Sequence, residues 1–459
     1  MAKGQFNNVL EAVGQTPMVR LRRVCGSLKT PMWVKLEFLN PGGSIKDRMA
    51  IHIINKAERD GKLKPGGTIV ENTSGNTGVG VAMVAAVRGY KAIFTMPDKM
   101  SSEKVNLLKA YGAKVVITPT NVPADSPESY YETAKRIARE TPGSFYVNQY
   151  HNPDNIEAHY MTTGPEIWEQ TDGLIDCFVA GIGTGGTLSG AARFLKEKNP
   201  KIVVIAIDPE GSVFYNWFRD KKLIEPKVYK VEGIGEDMVT KAMDFSVVDD
   251  MVQVNDKECF QIGRRLTTEE GMFAGGSSGG AVAGALKYLA GHDHFKCAVV
   301  VLPDSGSRYL SKMFADEWMR DNSFLNETPK IGTVADLLAG HPAKVVTVTT
   351  EEKVFKVVEK MKEHDISQLP VVENGALVGL ISEADLLRHM MSGTHRIVEP
   401  VGSIVKRDVR TVTPQTSLAA VSSAFAAGRD MVVVLDGTAI AGVITKIDLI
   451  DYFARTFKE

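Results

Sequence analysis

The sequence predicts an α/β layer fold built on buried parallel strands, followed by a smaller module made of two repeats. Three observations predict it. Short runs rich in valine and isoleucine alternate with helical stretches through the first 320 residues. Polar glycine loops stand at the ends of several of these runs. Beyond about Asn322 the composition changes and the chain begins to repeat itself.

The strand-like runs include Thr68–Val70, Lys91–Thr95, Lys114–Ile117, Phe178–Ala180, Ile202–Ile207 and Ala298–Leu302. Each is short, β-branched and bounded by turn residues. Apolar residues that do not alternate with polar ones mark a strand covered on both faces, as in a parallel sheet. The segment Asn40-Pro-Gly-Gly-Ser-Ile-Lys-Asp-Arg48 places Lys46 behind a Pro-Gly-Gly turn that opens a helix. Three more glycine loops follow: Thr73-Ser-Gly-Asn-Thr-Gly78, Gly181-Ile-Gly-Thr-Gly-Gly-Thr187 and Gly275-Gly-Ser-Ser-Gly-Gly280. Such loops suit a small phosphorylated ligand held by backbone N–H groups. A lysine among them points to an aldehyde, and an imine-forming lysine needs its pKa lowered by burial or a nearby cation.

A competing reading exists. Gly181, Gly183 and Gly186 fit G-x-G-x-x-G after the run Asp176–Ala180, and the next run ends at Asp208, where a ribose-binding acid would stand in an NAD-dependent enzyme. That reading leaves the Lys46 motif and the Gly275–Gly280 loop without a role.

The chain has 459 residues, which implies more than one domain. It is 44% hydrophobic and 24% charged with net charge −1, so nothing points to nucleic acid or to an acidic partner. The start, MAKGQFNNVL, lacks the apolar stretch of a signal peptide. The longest apolar run, Val79–Val87, is broken by Gly80 and too short to cross a bilayer. A cytoplasmic location is expected. Cys25, Cys177, Cys259 and Cys297 are scattered, with no C-x-x-C and no adjacent histidine pair. They read as free thiols of a reducing compartment, and no metal site is expected.

Asn326–Lys330 is polar and turn-prone. After it Thr347–Thr349 recurs as Thr411–Thr413 and Gly379–Asp385 as Gly442–Asp448, at offsets of 64 and 63 residues. Two copies imply a pseudo-symmetric pair rather than an open solenoid. The expected organisation is a catalytic domain over 1–326, a linker over 327–335, and repeats over 336–395 and 396–459.

Taken in order, these motifs resemble the fold-type II pyridoxal-phosphate enzymes of β-replacement, the cystathionine β-synthases above all. The likeness runs from Gly14–Arg20 to Trp318 and includes Lys99–Lys104, Asp125–Glu128, Asp208–Ser212 and Leu302–Ser305. Cysteine synthases share much of it. The tail resembles the tandem CBS-domain pair, or Bateman module, a regulatory binder of adenosyl ligands. The resemblance implies a tryptophan synthase β-like fold with two α/β subdomains, and pyridoxal 5′-phosphate as cofactor. It makes Lys46 the Schiff-base lysine. Gly183, Thr184, Gly185, Gly186 and Thr187 would hold the phosphate, helped by the dipole of a helix from about Leu188 to Lys198. Asn76 would meet the 3′ oxygen of the ring and Ser277 its nitrogen. A hydroxyl does not hold that nitrogen protonated as a carboxylate would, which favours β-elimination over transamination.

By the same resemblance, Thr73, Ser74, Gly75 and Thr77 would grip the substrate carboxylate, with Gln149, Tyr150 and Gly233 at the substrate mouth. Asp47 and Arg48 would make local helix contacts. His151 and His159 would pack rather than act as bases, because Lys46 can move the protons itself. Glu236 stands where the animal enzymes carry an aromatic residue; it is either exposed or attracts the amino group of homocysteine. The implied reaction condenses L-serine, or L-cysteine, with L-homocysteine to give L-cystathionine and water or hydrogen sulfide. The alternative is an O-acetylserine or O-phosphoserine sulfhydrylase; the Glu232–Asp237 loop, the Lys99–Lys104 run and the appended repeats favour the former. A third reading, an adenosyl sensor with a vestigial catalytic domain, conflicts with the intact Lys46, Asn76 and Ser277.

Animal members carry an N-terminal haem-binding extension. Here the Gln-Thr-Pro motif begins at Gly14, so no haem is expected. A homodimer or higher homo-oligomer is expected, with no nucleic-acid or membrane partner. In the repeats, the resemblance places ribose on Ser382 with Asp385 and on Thr445 with Asp448. Ile366, Gln368 and Leu369 would line an adenine pocket. The matching stretch Gly428–Val433 lacks the proline and carries Arg429, so the two pockets should differ. S-adenosylmethionine is the first candidate ligand, with AMP and ATP next.

Overall fold

The computed structural model describes residues 5–456 apart from Ser74, Asn121, Ala124, 326–331, 340–344, 392–395 and Ala427. The chain divides into two units, Met1–Leu325 and Asn326–Glu459.

The first unit holds two sheets. The larger has the strand order Met18–Arg20, Met32–Leu36, Ala298–Leu302, Cys177–Gly181, Val203–Pro209 and Asp250–Val254. Only the first pair is antiparallel. Ala298–Leu302 is buried at every residue. Its Val300 enters the core on one face and its Val299 and Val301 the core on the other. This two-sided burial is why the run reads as unbroken valine. The smaller sheet is all parallel, in the order Lys114–Thr118, Lys91–Pro97, Thr68–Asn72, Ser144–Tyr146. The helices Lys46–Arg59 and Asn76–Arg88 pack on it around Met49, Ile53, Val81 and Phe94. Two α/β subdomains therefore face each other across a cleft, and the glycine loops stand at strand ends along it.

The second unit contains the two repeats. Each has a three-stranded sheet and two helices: Val354–His364 and Glu383–Met391 in the first, Leu418–Ala426 and Lys446–Thr456 in the second. The first hairpin turns on Asn374-Gly375, both at positive φ, as a tight type I′ turn requires. The segments that lead into the repeats are exchanged. Val334 and Leu337, ahead of the first repeat, lie in the core of the second with Val432 and Ile444. Val401, with Ile404 and Val405, lies in the core of the first with Val357 and Leu369.

Candidate active site

The helix Lys46–Arg59 starts where the Pro-Gly-Gly turn ends. Gly42 donates its N–H to Asp47 Oδ2 (2.6 Å), and a side chain at Gly42 would collide with that carboxylate. Gly43 sits at φ 77°, a conformation that favours glycine. Burial pushes the Asp47 carboxyl up to about 7. Arg48 is not the local contact the sequence implied. Its guanidinium is buried and forks between Glu37 (2.7 and 2.8 Å) and Glu166 (2.6 and 2.7 Å). Lys35, buried on the neighbouring strand, completes the group by donating to Glu166 (2.7 Å). Burial alone would raise the Glu166 carboxyl; the two cations outweigh it and hold Glu166 at about 2. This four-charge cluster anchors the first turn of the helix that carries Lys46.

Lys46 lines a cavity of about 600 Å³ together with Thr73, Asn76, Thr77, Gln149, Tyr150, Gly183, Thr184 and Gly233. Burial lowers the pKa of its ammonium, opposed by the charges of Asp304 and Glu236. A smaller adjoining space of about 20 Å³ is lined by Lys46, Gly183, Thr184, Gly185, Thr187 and Gly233. The helix Gly186–Lys198 opens there, two residues earlier than the sequence indicated, with Gly185 at φ 92°. Side chains are excluded around it: a Cβ on Gly183 would stand 2.8 Å from Gly233 O, and one on Gly186 would collide with Asn155. Asn155 Nδ2 instead donates to Thr184 Oγ1 (3.1 Å) and Gln149 O (2.8 Å). His159 is fully buried, meets Thr187 Oγ1 (3.2 Å) and Thr163 Oγ1 (2.9 Å), and burial pushes its pKa well down. It orients Thr187.

These residues fit pyridoxal phosphate. A helix N-terminus with free N–H groups and no acidic residue in its first turn accepts a phosphate. A lysine of lowered pKa stands in the same cavity to meet an aldehyde.

On the substrate side, Thr73 Oγ1 accepts the N–H groups of Gly75 (3.0 Å) and Gly78 (3.1 Å), which folds the loop tightly onto the helix Asn76–Arg88. Ser74 lies outside the described residues. Thr77 donates to Gln149 Oε1 (2.6 Å). Beneath Gln149, the buried Glu71 accepts the N–H groups of Asn148 (2.7 Å) and Gln149 (3.3 Å), and burial pushes its carboxyl up to about 8. Tyr130, Tyr131 and Tyr150 form an aromatic wall along the cavity.

On the ring side, Ser277 lies in the first turn of the helix Gly276–Ala290 and donates to Asp304 Oδ1 (3.3 Å). Asn76 Nδ2 donates to Asp304 Oδ2 (2.8 Å). Ser277, Gly75 and Gly186 support the cavity without lining it.

Three acidic residues take roles that the structure makes specific. Glu232 accepts Lys312 (2.7 Å) and Lys104, which outweigh burial and hold its carboxyl below the usual range. Glu236 is not a solvated loop residue: it lines the cavity, and burial with Asp237 pushes its carboxyl well up while Lys46 opposes. Asp208 accepts the N–H of Tyr215 (2.9 Å) and is buried at the foot of the helix Phe214–Asp220. That is a structural role, not the open ribose-binding position of the NAD reading. No local spacing could have revealed the Glu232 pairing, because Lys104 and Lys312 lie far along the chain.

In the repeats, Ser382 Oγ donates to Asp385 Oδ2 (2.5 Å) and Thr445 Oγ1 to Asp448 Oδ2 (2.6 Å), each at the start of a helix. Asp385 also meets Lys406 (2.7 Å). Ile366 is partly buried beside Gln368, but Leu369 is not available to a ligand, since it is fully buried in the core of its own repeat. All four cysteines are free thiols. Among the described residues no group of His, Cys, Asp and Glu is placed to hold a metal ion, and no helix is long and apolar enough to cross a membrane.

The family described as pyridoxal-phosphate dependent enzyme matches residues 9–304, and the CBS domain matches 334–392 and 401–455. The chain is 38% identical to the cystathionine β-synthase of Dictyostelium discoideum over 98% of its own length and 93% of that protein. The solved structure of an O-acetylserine-dependent cystathionine β-synthase from Helicobacter pylori superposes with a TM-score of 0.62 at 36% identity, over 67% of this chain and 98% of that one. A cysteine synthase of Staphylococcus aureus is 44% identical over 68% of this chain and 97% of that protein. That likeness spans only part of the chain, whereas the Dictyostelium relative also spans the repeats. Catalytic motifs, glycine-lined cavity and repeats together place the chain in the cystathionine β-synthase family of pyridoxal-phosphate-dependent enzymes, with a C-terminal pair of CBS domains.

Proposed function

We propose that this enzyme exchanges the β-substituent of L-serine or L-cysteine for the sulfur of L-homocysteine, giving L-cystathionine and water or hydrogen sulfide. The observation that carries the reading is Lys46. Its ammonium is destabilised by burial, so a neutral amine is available inside the cavity that joins the phosphate cradle to the Thr73–Thr77 loop.

Lys46 and Gly183–Thr187, with Asn76 and Ser277 on the ring side, would hold pyridoxal phosphate, which would supply the electron sink for loss of the α-proton. Lys46 Nζ takes that proton and later returns it. The N–H groups of Asn76 and Thr77, at the start of their helix, hold the substrate carboxylate with the help of the Thr73–Thr77 loop, braced by Gln149 on Thr77. The C–O or C–S bond at the β-carbon breaks and a C–S bond to homocysteine forms; the thiol proton leaves with the departing group. The tyrosine wall keeps water from competing. Glu236, in that wall, offers a partner to the acceptor's ammonium group.

Catalysis is assigned to 1–326, and a regulatory adenosyl site to Ile366, Gln368, Ser382, Asp385, Thr445 and Asp448. The free thiols suit a cytoplasmic enzyme. The reading requires no haem, because the named residues supply both binding and proton transfer. The test is turnover of serine, cysteine and O-acetylserine, each with homocysteine and with sulfide. Cystathionine as the dominant product supports the assignment; cysteine made from O-acetylserine and sulfide, with homocysteine ignored, replaces it with a cysteine synthase.

A further inference from the structure

Glu236 stands on a loop that leaves its backbone little freedom. Gly235 donates its N–H to Ile182 O (2.7 Å), Glu236 donates its own to Ser212 Oγ (3.1 Å), and Val213 donates to Glu236 O (3.1 Å). Gly233 and Gly235, at φ 89° and 81°, turn the chain just ahead of it. A side chain at Gly235 would collide with Pro209 and Tyr229, so the loop lies directly on the end of the strand Val203–Pro209. Among the described residues three acids line the larger cavity, Glu232, Glu236 and Asp237, and no histidine or cysteine does. Glu232 is taken by Lys104 and Lys312, and Asp237 is exposed. The Glu236 side chain is half-buried in the cavity wall, and among the described residues its carboxyl has no hydrogen-bond partner; only its backbone is tied. The cavity therefore holds one sheltered acid whose hydrogen-bonding capacity is unspent.

Resting on the reaction proposed above, we propose that Glu236 is a second catalytic residue, the acid and base that serves the β-substituent. With its carboxylate on Asn76 and Thr77 and its amine at Lys46, a substrate has the wall of Tyr130, Tyr150 and Glu236 left for that substituent. Lys46 keeps the α-proton until it returns it, so the β-carbon needs a proton carrier of its own. A C–O bond that breaks unaided releases hydroxide, whose conjugate acid has a pKa of about 15.7. Glu236 gives its proton to that oxygen as the C–O electron pair moves onto it, and water departs. The carboxylate that remains meets the acceptor's ammonium group and takes the thiol proton as the homocysteine sulfur forms the C–S bond. Glu236 ends as it began, and one proton has passed from the thiol to the departing water. The cycle needs an acid that is protonated at neutral pH. Burial pushes the Glu236 carboxyl well up and Asp237 adds to this; Lys46 opposes, and Asp208 adds the least. The phenols of Tyr130, Tyr131, Tyr150 and Tyr229 around it are pushed up by burial as well, which makes them too weak as acids to replace it.

The two donors separate this role from any other. Cysteine departs as a thiolate, with an ordinary pKa of about 8.5, and needs no acid; serine needs one. The test uses the full-chain holoenzyme. Each donor is mixed alone, and loss of its β-substituent is followed by the change in visible absorbance. Glu236→Gln should slow that first step about a hundredfold with serine, the lower end of what acid catalysis supplies, and leave cysteine nearly unchanged. Addition of homocysteine should then slow equally after either donor, because the same thiol proton is at stake. The wild-type serine rate should decline at high pH as Glu236 gives up its proton, and the variant should lack that limb; a limb due to Lys46 appears with both donors. Infrared difference spectra of the two proteins without substrate at pH 7 should show one protonated carboxyl that the variant lacks. Should Glu236→Gln fail to fold, Glu236→Asp keeps an acid one carbon short and must still slow serine more than cysteine. A first step slowed equally for both donors, or for neither, overturns the proposal. So does a missing carboxyl band, or a variant that only raises the KM for homocysteine, which would make Glu236 a binding residue. A wild type that uses cysteine but not serine overturns the proposal and leaves the reaction standing; no cystathionine from either donor overturns both.

Discussion

Replacing Arg48 by methionine should destabilise the catalytic unit strongly, and the structure apportions the loss. Arg48 makes four hydrogen bonds to two carboxylates, Glu37 and Glu166. Without it Glu166 keeps Lys35 (2.7 Å) and the Gln15 N–H (2.9 Å). Glu37 keeps only neutral donors, the Thr16 hydroxyl (2.6 Å) and the Asn40 amide (2.9 Å). Glu37 is therefore the stranded charge, and its side chain has no solvent exposure. Leaving one buried charge unpaired costs about 3–5 kcal/mol. At about 2 °C per kcal/mol for a large domain, the midpoint of the catalytic unit should fall by about 8 °C. Adding Glu37→Gln should recover roughly half, because an amide needs no counter-ion. The acid limb gives a second readout. Glu166 is held at about 2 against an ordinary 4.5, so it contributes stability above about pH 4.5 that is lost as pH falls toward 2. With Arg48 gone, Glu166 is depressed less, so this acid-linked contribution should shrink. Calorimetry of the holoenzyme from pH 3.5 to 8 measures all three. A midpoint shift under about 2 °C at pH 7, or no rescue by Glu37→Gln, would refute the assignment of the cost to a stranded carboxylate.

Four further outcomes are expected. Lys46→Ala should abolish the visible absorbance of bound cofactor and nearly all turnover while circular dichroism stays native; an unchanged spectrum and rate would sink its assignment. Ser277→Asp should slow β-replacement by about a hundredfold with cofactor still bound, because the new carboxylate faces Asp304 and the pair must share a proton; a wild-type rate would show that the position does not tune the ring. A chain ending after Leu325 should stay active, since every residue named in the catalytic cavity precedes it; a folded but inactive fragment would show that the repeats complete the site. Calorimetry with S-adenosylmethionine, AMP and ATP should give binding by at least one of them, weakened by Asp448→Ala or Asp385→Ala; no heat from any would leave the repeats structural.

Legibility from sequence followed the range of the interaction. Ala298–Leu302 was readable to the residue because a strand covered on both faces has nowhere to put a polar side chain. The glycine loops were readable for a similar reason. At Gly183 and Gly186 a methyl group would strike Gly233 or Asn155, so the residue type records the crowding. Arg48 was misjudged because Glu166 lies 118 residues away and no local window contains it. Asp304 and Glu232 were invisible as functional groups for the same reason: each gains its meaning from donors on other elements. Leu369 looked like a ligand contact because its motif position was considered without its inward-facing place on a strand.

The exchanged lead segments of the two repeats have a consequence for how the module can be assembled and edited. Gly332 and Val334 pair with Leu418 and Thr416, while Val401 pairs with Glu352. The core of the second repeat therefore draws on chain that precedes the whole of the first. Neither half is a contiguous stretch of sequence. The second cannot close until nearly the entire module has left the ribosome, and its folding must span a loop of about 80 residues, which slows it. A gene fusion or truncation cut midway between the repeats would strip a helix from one core and a turn from the other. The pair therefore behaves as one indivisible piece of chain.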